Sequence, residues 1–155
     1  MPAAPPPVSL EPGQQRRTAA ELFNHAWTLI EKRDRTARET DLMIHAAHGS
    51  RFLWEDIGEP VKHARGEWQI ARVYALVLRP EPALHHARRC LEICEEHDVG
   101  DFDLAYAHEA LARAHAIGGE RERSRRHVER GREVAQRIGD QGDRDLVLGD
   151  LAALP

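Results

Sequence analysis

Long apolar runs, aromatic residues, lysine and cysteine are all scarce in this 155-residue chain, and each shortage removes a class of answers. No window approaches the ~18 consecutive apolar residues of a membrane span, so no membrane partner is expected. The opening stretch, MPAAPPPVSLEPGQQRR, has neither an early basic region nor an apolar run and does not read as a secretory signal. Aromatics make up 5% of the chain, too few for a β-sandwich, which draws on branched and aromatic residues. Cys90 and Cys94 stand four apart on one predicted helix, which is no disulfide framework, and a cytoplasmic bacterial protein is the expectation. Lysine occurs only as Lys32 and Lys62, with arginine supplying the other basic groups, a bias of coding more than of anion recognition. The net charge of −4 gives no global field toward DNA or RNA, which argues against a nucleic-acid partner.

What the chain does contain is amphipathic helix. Residues 1–17 form a Pro-rich segment, with five prolines before residue 13, expected to be extended and mobile. A helical repeat domain is expected over 18–155. Thr18 with Glu21 reads as a capping box, and Leu22, Phe23, Ala26, Leu29 and Ile30 follow at helical spacing. A second helix runs from about Glu39 to Asp56 with Leu42, Ala46, Gly49, Phe52 and Leu53 on its buried face, and Gly58 stops it. Pro60 opens the third helix, Pro80 and Pro82 mark the bend into a fourth, and Gly100 ends that one. Asp101 is the expected cap of a fifth, the Gly118–Gly119 pair breaks the chain, and a charged sixth helix spans Glu120 to Ile138. A short seventh, near Asp143 to Leu154, places Val147, Leu151 and Leu154 on one face.

The helices pair, and the pairs repeat. His45, His86 and His127 recur every 41 residues, as do the small residues Gly49, Cys90 and Gly131 and the apolar Leu29, Ile70 and Leu111. The fold expected is all-α: an α–α superhelix of three stacked helical hairpins plus a C-terminal capping helix. Gly49, Cys90 and Gly131 would be points of close helix approach. Ile70–Ala71, Tyr74, Ala83, Ala87 and Cys90 resemble a tetratricopeptide (TPR) repeat, and Leu111–Ala112, His115, Ser124, Val128 and Gly131 follow the same frame. The unit is longer than the ~34 residues usual in that family. The resemblance implies a concave groove lined by the first helix of each hairpin, and a role in non-catalytic binding of a protein or peptide segment. It does not extend to the family's lysine- and asparagine-based carboxylate clamp, which this chain does not reproduce.

In that register the groove carries three matched stripes: Asn24, Trp27 and Glu31; Arg65, Trp68 and Arg72; Tyr106, Glu109 and Arg113. The arginines suit carboxylate or phosphate, so an acidic partner is favoured, and the flat rings suit apolar anchors. The competing arrangement has the tryptophans in the core between repeats and the arginines paired with Glu31, Glu67 and Glu109.

The rival functional class is a metal- or small-ligand-binding helical protein or enzyme centred on His45 and His48, with His63 and Glu67 from the next helix as further ligands. The recurrence of His45 as His86 and His127 favours helix packing over that site. Cys90, Cys94 and His86 form a second line of weaker metal candidates. His108–Glu109 opens like HExxH, but Ala112 stands where the second histidine belongs. Phosphate loop, dinucleotide-binding glycines and nucleophile elbow are all missing, so no cofactor and no catalytic residue is expected. On the sixth helix seven arginines alternate with four glutamates, including Glu122–Arg126 and Glu133–Arg137 at i, i+4, which reads as a solvated face. The six acids between Glu92 and Asp103 leave a homo-oligomer or a basic partner open.

Overall fold

The computed structural model describes residues 1, 3 and 9–155. It is 80% helical, with no strand among the described residues. Seven helices follow in order: α1 (Pro12–Glu31), α2 (Ala37–Trp54), α3 (Pro60–Leu76), α4 (Pro80–Glu96), α5 (Asp101–Ile117), α6 (Arg121–Ala135) and α7 (Gln141–Ala152). Consecutive helices pack as the hairpins α1–α2, α3–α4 and α5–α6, and α7 lies against α5 and α6. The α3–α5 contact joins the second and third hairpins through their first helices. This is the expected superhelix of hairpins, and no described helix is long and apolar enough to cross a membrane.

The boundaries follow the punctuation of the sequence, with three departures. Helix α1 begins at Pro12, not beyond Thr18: proline suits a first turn, and the Gln14 side chain accepts from the Glu11 N–H. Its first turns are anchored, because Gln15 Nε2 donates to the Leu53 carbonyl at 2.7 Å and Arg16 pairs with Glu59 at 2.6 Å. Residues 12–17 are therefore helix, and residues 2 and 4–8 of the expected tail lie outside the described ones. Asp101 is the first helical residue of α5 and not its cap, which is Gly100 at φ 117°. Helix α6 ends at Ala135, and Gln136 and Arg137 form a turn before Ile138.

The phase of α2 differs as well. Leu42 and Phe52, expected inside, are 42% and 52% exposed, whereas Met43, Ala47, Ser50 and Trp54 are buried. An alanine-rich helix carries two adjacent small-residue stripes, and tertiary contacts choose between them. Here Ser50 Oγ donates to the Ala19 carbonyl at 2.7 Å, turning that stripe toward α1. Elsewhere the repeat frame is the packing frame: Leu29, Ile70 and Leu111 are all buried, as are Ile30, Ala71 and Ala112 one position on. The small-residue positions are close approaches. A Cβ on Gly49 would meet Leu22 at 3.3 Å, and one on Gly131 would meet Leu151 at 3.1 Å and His108 Cβ at 3.4 Å.

Candidate functional site: a concave aromatic cleft

The first helices of the hairpins present one shared face, and the matched stripes lie on it. Trp27 of α1 and Trp68 of α3 have ring centroids 5.6 Å apart, and Trp68 meets Tyr106 of α5 edge-on, also at 5.6 Å. Phe102 continues the line at 5.1 Å from Tyr106. The rings are half-buried, one side packed against core residues of adjacent hairpins and the other facing a cleft of about 490 Å³. The tryptophans thus do both things weighed for them, closing the core and walling a groove.

Of the nine stripe residues, eight line the cleft: Asn24, Trp27, Arg65, Trp68, Arg72, Tyr106, Glu109 and Arg113. Glu31 does not; it is the exposed last residue of α1, beyond the cleft's end. Five residues that line it were not assigned to the groove from the sequence: Phe23, Phe102, Asp103, Leu146 and Asp150. Asp103 lies one turn before Tyr106, so extending the stripe upward by i−3 finds it. Asp150 and Leu146 sit on α7, outside the repeat, and no periodicity points to them.

The charges divide into committed and uncommitted groups. Arg65 grips Asp103 through two bonds, at 2.8 and 3.1 Å. Arg113 donates to Glu109, 2% exposed, which also accepts from Trp68 Nε1 at 3.3 Å. Tyr106 donates to Asp150 at 2.6 Å, and burial first, then this carboxylate, push the phenol pKa well above its ordinary value. Two of the three arginines thus satisfy the chain's own acids. Arg72 differs: among the described residues its buried Nε has no hydrogen-bond partner. Burial and the Arg113 charge lower its pKa, against the pull of Glu109 and Asp150. A desolvated guanidinium without a bonded anion is costly in isolation and gains most from an anionic ligand.

No protein-family model matches the chain, and no curated protein or solved structure matches it. The reading of the site therefore rests on its geometry.

The metal candidates are not brought together. His45 is exposed, His48 Nε2 bonds the Tyr74 hydroxyl at 2.9 Å, and His63 Nε2 bonds the Trp54 carbonyl at 2.7 Å. Glu67 is taken by His86 Nδ1 at 2.6 Å and by Arg51 Nε at 3.1 Å. Burial opposes the Glu67 charge, but these two partners hold its pKa below the usual carboxylate value. Among the described residues no three His, Cys, Asp or Glu side chains converge as metal ligands. Cys90 and Cys94 are free and buried, and the Cys90 thiol pKa is raised by its bond to Cys94 and by burial. On α6, Arg126 pairs with Glu122 as expected, but Glu133 takes Arg130 while Arg137 reaches Asp101 across the hairpin.

Proposed function

We propose that this is a non-catalytic binding protein of tetratricopeptide type that holds a short segment of a partner protein in the concave cleft. An apolar side chain of the segment lies along Trp27, Trp68 and Tyr106, and an anionic group reaches Arg72. The observation that carries this reading is the concentration of flat apolar surface beside one uncommitted cation: five of the chain's eight aromatic residues line the cleft with Arg72. Aromatic anchors around a desolvated arginine are the usual centre of a binding hot spot. The size, about 490 Å³, suits a few side chains and not a long groove-filling helix.

The test is selection of peptides from a displayed random library on the intact protein, followed by titration calorimetry. Selected peptides are expected to pair an apolar side chain with an acidic one. They should weaken about tenfold or more against Arg72→Gln, since a charge-assisted bond contributes roughly 1.5–3 kcal/mol. Peptides that bind Trp68→Ala as tightly as the parent would place the binding surface elsewhere and overturn the reading.

A further inference from the structure

The histidines recurring every 41 residues end in opposite chemistry in successive repeats. In the second hairpin His86 on α4 meets Glu67 on α3, and its ring stacks on Tyr74. In the third hairpin the positions 41 residues later are His127, His108 and His115. His127 on α6 meets His108 on α5, with the two Nδ1 atoms 3.1 Å apart, and stacks on His115 at 5.5 Å and 7°. The same place in the fold thus holds an imidazole–carboxylate pair in one repeat and an imidazole–imidazole pair in the next.

The two pairs respond to acid with opposite sign. A carboxylate facing an imidazole, as Glu67 faces His86, attracts positive charge. The His108–His127 bond needs one Nδ1–H and one bare Nδ1. A first proton can go to the far nitrogen of the donor ring without breaking it. A second proton has only the accepting Nδ1 to occupy, which turns two N–H groups toward each other between two cations. The other charged groups facing the pair give little relief. Arg88 of α4 and Arg130 of α6 add positive charge, Glu133 is engaged by Arg130, and Glu120 is engaged by His115 and Arg123. His108 is 7% exposed, and burial, then His127, bring its pKa down to about 4; His127 is lowered by burial and by His115.

The pair is mechanically linked to the cleft. His108 precedes Glu109, the buried acceptor of Trp68 and Arg113. Gly131 of α6 is packed against both His108 and Leu151 of α7. Helix α7 packs on α5 and α6 and carries the Asp150 that holds Tyr106.

We propose that the His108–His127 pair is an acid-operated release: double protonation parts α6 from α5, removes the seat of α7 and opens the cleft that α7 walls. This rests on the reading of the cleft as the binding site only for its consequence, since the release itself belongs to the free protein. The sign is that of a group kept neutral by folding, with stability intact above its unfolded pKa and lost as pH falls toward the folded one.

The test is hydrogen exchange on the ligand-free protein, corrected for intrinsic rates, between about pH 6.5 and pH 4. Amides of α6 and α7 are expected to lose protection by roughly tenfold or more while those of α1–α4 keep theirs. His108→Glu, which supplies the carboxylate found in the preceding repeat, should keep α6 and α7 protected through that range. His127→Gln, which cannot take the second proton, should do the same and serves if the first variant folds poorly. Loss of protection in all helices together, or a parent-like profile in a folded variant, overturns the release. Peptide capture at neutral pH is untouched by that failure, whereas a failed capture leaves the exchange result standing.

Discussion

At the scale of single residues, the cleft separates what spacing reveals from what only contact reveals. Arg65, Arg72 and Arg113 look equivalent along the chain, standing on one face of successive first helices. Contact makes them different: Asp103 and Glu109 consume two and leave one. The pairing of Arg65 with Asp103 depends on the angle between hairpins, which no periodicity encodes. The positive-φ residues show the same limit. Gly58, Gly100 and Gly119 are readable as terminators, but Leu78 adopts φ 57° and is 73% exposed, with nothing in ALVLRPEP to mark it. A branched residue in the left-handed region costs about 1–2 kcal/mol, partly offset by the chain freedom glycine loses on folding. Leu78→Gly should therefore raise stability by about 0.5–1 kcal/mol in urea denaturation. A lower midpoint would mean that Leu78 earns its conformation through a contact.

At the scale of elements, terminators were legible, the caps expected at Thr18 and Asp101 were not, and helix phase failed in α2. Prolines at first turns and glycines between helices placed most boundaries, because those residues act through their own backbones. Phase in α2 depended on a tertiary bond, Ser50 to Ala19, and the alanine-rich sequence allowed either stripe to face inward. The N-terminus of α2 is a purely local device: Thr36 Oγ1 accepts from the Glu39 N–H at 3.1 Å, and Glu39 accepts from the Thr36 N–H at 2.9 Å. Thr36→Ala should cost about 1 kcal/mol. Because α2 packs on both α1 and α3, the loss should appear as a lower global midpoint with unchanged denaturant slope; a changed slope would mean that α2 unfolds separately.

At the scale of the molecule, the last helix alters what the array is. The sequence marks α7 as a cap for the apolar end of a stack, and it does cover Val134, Ala135 and Ile138. It also bends back far enough to put Leu146 and Asp150 into the cleft, so an open groove becomes a walled one. That wall is lightly held. Its fully buried apolar side chains are Val147 and Leu151, worth about 1.5–3 kcal/mol each. Its polar link to the first-helix face is the bond from Tyr106 to Asp150. The phenol reports the wall directly, because burial and the Asp150 carboxylate both raise its pKa. Asp150→Asn removes the second cause and should bring the Tyr106 titration down, toward but not to its ordinary value, in ultraviolet difference titration. Ending the chain after Gly139 removes the second cause and α7's share of the first, and should bring it lower still, with α1–α4 remaining helical because their contacts lie among themselves and with α5. A phenol that titrates identically in all three proteins would mean that α7 does not close the cleft in solution, and the site would then be the open groove of an ordinary helical array.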